Sequence, residues 1–99
     1  MRRKIDSYLG FARKSRNLIT GYNACISSIK KIKLLIIAED ISENTIKKLR
    51  KLAKDHGVTL RIYGKKDDLS KSTGSIERGV YGITDENFAI AILKEIDME

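Results

Sequence analysis

Gly21-Tyr22-Asn23 and the acidic pair Glu39-Asp40 are the residues whose types and spacing lend themselves to chemistry. Gly21 stands where a helix is predicted to start, and the first N–H groups of a helix lack intrahelical acceptors and can face an anion. Asn23 carries a donor and an acceptor together, and the Tyr22 ring can stack. Glu39-Asp40 closes the apolar run Leu34-Leu35-Ile36-Ile37-Ala38. A helix from about Tyr22 to Lys31 leads roughly 15 Å away from Gly21. A five-residue strand then returns roughly 16 Å. This geometry predicts that Glu39 and Asp40 share one rim of the protein with Gly21 and Asn23.

Enzymatic constellations are scarce. The one histidine, His56, ends a helix before Gly57, where the helix C-terminus or solvent accounts for it. The one cysteine, Cys25, falls on the inner face of its helix as a packing residue. It can form no internal disulfide, and no Cys/His cluster is present for a metal. Glu39-Asp40 lacks the partner histidine or ligand spacing that acid–base or metal chemistry needs. Gly74-Ser75-Ile76-Glu77-Arg78-Gly79 invites comparison with the phosphate-binding loop, but Val80 and Tyr81 follow where that loop needs Lys and Ser/Thr. The segment reads instead as a flexible surface loop that presents Arg78. No catalytic residue, metal or cofactor is expected.

Ninety-nine residues suit one domain with a modest core. Apolar residues make up 41% and charged residues 33%, as in a soluble globular protein. No apolar run approaches the roughly 20 residues of a membrane helix. The start, Met1-Arg2-Arg3-Lys4-Ile5-Asp6, is basic but leads into no apolar stretch, so a secretory signal is not expected. With a lone cysteine, a reducing, cytoplasmic setting is the expectation. The net charge of +7 is unevenly spread. Residues 1–33 hold nine Lys/Arg against Asp6, and residues 84–99 hold five acids against Lys94. Such a basic field favours phosphate-rich partners; a merely solubilising surface is the alternative.

The elements that must position these residues alternate in type. Ile5, Leu9, Phe11 and Ala12 suggest an apolar stripe on a first helix over 3–14. Leu18-Ile19-Thr20 is a short strand, followed by a helix over 22–31 with Cys25, Ile26 and Ile29 inward. The strand 33–38 is apolar on both faces from Leu34, which suits an interior position. Ser42 caps a third helix ending before Gly57, with Ile46, Leu49 and Ala53 inward. A strand over 58–63, a short helix over 66–73, a strand over 79–83 and a last helix from Thr84 or Asp85 to about Ile96 complete the chain. Phe88, Ile92 and Leu93 face inward on that helix. The alternation predicts an α/β fold, a three-layer α/β/α sandwich on one sheet.

A basic, aromatic-bearing rim is the stronger functional signal. Arg13, Lys14 and Arg16 precede the Gly21 turn, Tyr22 and Asn23 follow it, and Lys30 and Lys31 end the second helix. Asn reads base edges, backbone N–H groups hold phosphate, and Tyr stacks on unpaired bases. A plain structural role also fits, with Asn23 starting a helix and Tyr22 half buried.

The run Leu18-Ile19-Thr20-Gly21, then Asn23, then Lys33 to Asp40, resembles the archaeal-type ribosomal protein L-seven-Ae family of kink-turn RNA binders. Tyr8-Leu9-Gly10-Phe11-Ala12-Arg13-Lys14-Ser15 and Thr84-Asp85-Glu86-Asn87-Phe88-Ala89 are similar to a short bacterial branch of it, and the resemblance covers residues 5–96. It implies a three-layer α/β/α fold with a mixed four-stranded sheet. The strand after Gly79 would run antiparallel to the others, bringing the 74–79 loop to the rim of Gly21, Asn23 and Glu39-Asp40. In that family these segments grip a sharply bent duplex through tandem G·A pairs and an extruded base. The implied RNA-binding residues are Gly21, Tyr22, Asn23, Ser27, Lys30, Glu39, Asp40, Ile76, Glu77 and Arg78. Family binders carry Glu directly after the Asn and Lys four positions after it, where this chain has Ala24 and Ser27. Ala24 cannot accept from a guanine edge and Ser27 supplies no cation, a loss of about 1–3 kcal/mol per contact. The resemblance implies a non-enzymatic protein that binds ribosomal or other structured, kink-turn-like RNA, or alternatively a protein-interaction module on the same fold.

Overall fold

Leu34-Leu35-Ile36-Ile37 has no polar face, so as a strand it needs cover on both sides. It receives that cover. In the computed structural model, which describes residues 3–99, these residues form β2 inside a four-stranded sheet. The elements run α1 (Lys4–Lys14), β1 (Leu18–Thr20), α2 (Tyr22–Ser27), a 3₁₀ turn (Ile29–Lys31), β2 (Leu34–Ile37), α3 (Glu43–His56), β3 (Thr59–Ile62), α4 (Lys66–Thr73), β4 (Val80–Ile83) and α5 (Glu86–Met98). Met1 and Arg2, the first of the basic start, lie outside the described residues.

The strand order is β1-β4-β2-β3. β2 and β3 are parallel, in register from Leu34↔Thr59 to Ile37↔Ile62. β4 inserts between β1 and β2 and runs antiparallel to both. The mixed sheet expected from the resemblance is present, with its reversed strand where the resemblance placed it. Because strand side chains alternate in direction, Leu34 and Ile36 pack with Ile5, Leu9, Leu69 and Ile92 on the face covered by α1, α4 and α5. Leu35 and Ile37 pack with Cys25, Ile29, Leu49 and Ala53 on the face covered by α2, the 3₁₀ turn and α3. Each fully buried Leu or Ile contributes about 1.5–3 kcal/mol.

Local signals fix the helix ends. The Ser42 hydroxyl accepts from the Thr45 N–H at 3.2 Å, and the Asp85 carboxylate accepts from the Phe88 N–H at 2.9 Å. Such caps are worth about 1 kcal/mol each. Gly57, at φ +65°, ends α3 in the left-handed region.

Two expectations need correction. The helix expected over 22–31 stops at Ser27 and continues only as the 3₁₀ turn. Ser27 and Ser28 are poor helix formers whose hydroxyls compete for backbone groups, and the Ser27 hydroxyl donates to the Asn23 carbonyl at 3.0 Å. Phe11 is 55% exposed rather than part of the apolar stripe. At about 100° per residue it lies about 100° or more around the helix from Ile5, Leu9 and Ala12.

Candidate nucleic-acid interface

The ends of three strands define the rim. The Gly21 N–H donates to the Val80 carbonyl at 2.8 Å, and the Ala38 N–H donates to the Gly79 carbonyl at 2.9 Å. Gly21 therefore stands opposite Val80, and Ala38 opposite Gly79, in adjacent rows at one end of the sheet. Gly21 has φ +98°, which favours glycine, and the Arg78 side chain lies across it. A side chain on Gly79 would collide with Ile41, so this glycine permits the close approach of the β2–α3 loop.

Beside this line opens a cleft of about 450 Å³. Gly21 and Tyr22 form one wall, Thr45 and Lys48 of α3 another, and Lys66 with Glu77, Arg78 and Gly79 the rest, over Ile41. Three cations meet one carboxylate there, and Lys66 Nζ reaches Glu77 Oε1 at only 3.9 Å. Thr45, Lys48 and Lys66 were not singled out from the sequence. The one signal for the α3 pair is their i,i+3 spacing on the outer side of a helix.

The 74–79 loop, expected from the sequence as a surface loop presenting Arg78, is tied to α4, β4 and α1 by hydrogen bonds. The Arg78 N–H donates to the Ser70 hydroxyl at 3.1 Å, and the Ser70 hydroxyl donates to the Lys66 carbonyl at 2.7 Å. The Tyr81 hydroxyl, on a fully buried side chain, lies 3.1 Å from the Ser75 hydroxyl and 3.3 Å from that of Ser70. Arg13 Nη1 donates to the Gly74 carbonyl at 2.8 Å. A loop held by buried hydroxyls presents Arg78 from a fixed base.

Only part of the residue set expected at the rim is gathered there. Gly21, Tyr22, Glu77 and Arg78 line the cleft. Asn23 is exposed in the first turn of α2, and Ile76 is 71% exposed at the tip of the loop. Ser27 lies one turn further along α2, its hydroxyl committed to the Asn23 carbonyl. Glu39 and Asp40 follow the rim but turn from the cleft. Glu39 lines a separate depression with Tyr63 and Lys65, and Asp40 Oδ1 accepts from the Lys66 N–H at 3.0 Å, which anchors the start of α4. Lys30 sits beside Lys33, His56 and Gly57, where β2 and β3 begin, at the opposite end of the sheet. Arg13, Lys14 and Arg16 likewise leave the rim and line a groove between α1 and α4.

The residues considered for catalysis have structural partners. His56 Nδ1 lies 3.0 Å from the Leu52 carbonyl near the end of α3. Cys25 is fully buried, and desolvation pushes its thiol up to about 12. Among the described residues, no three His, Cys, Asp or Glu side chains gather as a metal site, and no helix is long and apolar enough to cross a membrane.

The model of the ribosomal protein L7Ae/L30e/S12e/Gadd45 family matches residues 3–92. The chain is 30% identical over 91 residues to the RNA-binding protein YlxQ of Bacillus subtilis, covering 90% of this chain and 91% of that protein. It is 32% identical over 90 residues to the RNA-binding protein YlxQ of Enterococcus faecium, covering 89% and 86%. A protein of unknown function from Bacillus halodurans superposes with a TM-score of 0.92 at 28% identity, over 97% of this chain and 99% of that one. The Giardia lamblia 15.5kD RNA binding protein shares the fold, with a TM-score of 0.80 at 17% identity over 99% and 92% of the two chains.

Proposed function

Because the chain belongs to the ribosomal protein L7Ae/L30e/S12e/Gadd45 family, we propose that it is a non-enzymatic protein that binds structured RNA across the Gly21–Gly79 rim. The observation that carries this is the convergence of Arg78, Lys48 and Lys66 from three elements on one cleft beside Tyr22. Cations on fixed elements hold phosphates and set the register of the RNA. Asn23, exposed next to that cleft, is the base-reading group. Ala24 and Ser27 supply neither the acceptor nor the cation of the usual family set, and Lys48 and Lys66 provide positive charge from the facing wall instead. Asp40 acts indirectly, by holding the N-terminus of α4 and with it Lys66. Lys30 has no part in this face. The RNA is ribosomal or another structured RNA with a kink-turn-like bend, bound with more weight on phosphates and shape than on base identity.

The test is a titration of wild-type protein, Asn23→Ala and Arg78→Ala against a kinked duplex and a straight duplex. Asn23→Ala is expected to reduce the preference for the kinked RNA, whereas Arg78→Ala weakens both RNAs about equally. Both side chains are exposed, so neither change should unfold the protein. An intact preference in a folded Asn23→Ala protein would make residue 23 a helix-start residue only.

A further inference from the structure

Between α1 and α4 runs a groove of about 460 Å³, walled by Phe11, Arg13, Lys14, Arg16 and Lys71. No carboxylate lines it. Asp67, 4.0 Å from Lys71, stands outside. Arg13 donates to the Gly74 carbonyl on the groove floor and so ties the groove to the loop that builds the rim.

Two features here do not favour the fold by itself. Phe11 leaves 55% of its surface exposed among four cations. Arg16 has φ +63° and is the one non-glycine residue in the left-handed region among the described residues. It occupies the first position beyond the C-cap of α1. Its N–H donates to the Arg13 carbonyl at 3.0 Å, and the Asn17 N–H donates to the Ala12 carbonyl at 2.7 Å. Glycine fits this helix ending without strain. An arginine in this conformation points to a use for its side chain.

We propose that this groove binds an unpaired nucleotide of a single-stranded segment flanking the structured RNA. The base stacks on Phe11, and Lys14, Arg16 and Lys71 hold the neighbouring phosphates, with Arg13 fixing the floor. Aromatic faces beside a basic track are the usual means of holding single strands, and the volume lies within the range of small-ligand sites. Gly74 lines the groove and Gly79 the cleft. The chain between them spans at most about 18 Å, or about five stacked nucleotides at ~3.4 Å each, so one RNA can reach both. The proposal rests on RNA being the ligand, but not on which face receives its folded part.

The experiment titrates wild-type protein, Phe11→Ala, Arg16→Gly and Arg78→Ala with a bulged duplex, the same duplex carrying a tail of about eight uridines, and the tail alone. For wild-type protein the tail is expected to tighten binding about tenfold. Phe11→Ala and Arg16→Gly lose this gain and bind the bare duplex as wild type does, and Arg16→Gly melts no lower than wild type. Arg78→Ala weakens the bare duplex yet keeps the gain. A tail without effect on wild-type binding, or a gain that survives in Phe11→Ala, overturns the proposal. Failure of the rim appears separately, as absence of wild-type binding to the bare duplex. The tail alone then still reports on the groove, which is supported if Phe11→Ala weakens its binding and overturned if it does not.

Discussion

Replacing Lys48 by alanine should change the salt dependence of RNA binding more than it changes the protein itself. Lys48 lines the cleft with Lys66 and Arg78, and its side chain is exposed on α3. An exposed helical lysine replaced by a good helix former moves stability by no more than about 0.5 kcal/mol. If the three cations neutralise three phosphates of a duplex, log K falls with log[salt] at a slope of about −2.7. Raising monovalent salt from about 50 to about 200 mM then weakens binding about 40-fold. With two cations left, the slope becomes about −1.8 and the same change weakens binding only about 12-fold. Fluorescence anisotropy with a labelled bulged duplex at several salt concentrations measures both lines, and a thermal melt verifies that the variant is folded. Parallel lines for the two proteins would refute the placement of Lys48 on phosphate. A wild-type slope near zero would refute the electrostatic basis of binding altogether.

Gly82→Ala places a Cβ 2.5 Å from Ile32 Cδ1 and 3.4 Å from Cys25 Sγ in the interior of the sheet; it should lower stability by about 1–3 kcal/mol, read from the urea midpoint. Asp40→Ala removes the acceptor for the Lys66 N–H and should cost about 1 kcal/mol, while weakening RNA binding because Lys66 is no longer fixed; unchanged stability and affinity together would dismiss that anchor. Burial pushes the Cys25 thiol from 9.0 up to about 12, so the unfolded chain loses this proton first as pH rises. Between about pH 9 and 12 the native state therefore binds more protons than the unfolded one, and stability falls by about 1.4 kcal/mol per pH unit. Cys25→Ala should flatten that limb of the stability profile, and an identical limb in the variant would remove Cys25 as its cause.

The apolar run Leu34–Ile37 and the alternation of helices with short strands were enough to anticipate the layers, because burial on both faces leaves a strand no polar positions. Ser42, Gly57 and Asp85 marked helix ends by local chemistry that needs no tertiary context. The resemblance, rather than any residue pattern, supplied the reversal of β4, and that reversal brings Gly79 beside Gly21. What stayed hidden depends on where elements cross. Lys48 and Lys66 become neighbours of Arg78 only when α3 and α4 meet the 74–79 loop, so their separation in sequence carried no signal. The basic-rim reading and the resemblance both include Lys30, yet α2 and the 3₁₀ turn carry it to the far end of the sheet. Phe11 is apolar by type but lies off the stripe of Ile5, Leu9 and Ala12 to which the spacing assigns it, and the left-handed backbone of Arg16 cannot be inferred from an arginine.

The decisive observation is an amide NMR titration of the wild-type protein with a bulged RNA duplex that carries no single-stranded tail, at low salt. Binding across the rim predicts that the largest shift changes fall on Gly21, Tyr22, Asn23, Lys48, Lys66 and Arg78, with Lys30, His56 and Gly57 unaffected. Changes centred on Lys30, His56 and Gly57, or no changes at all, would contradict it.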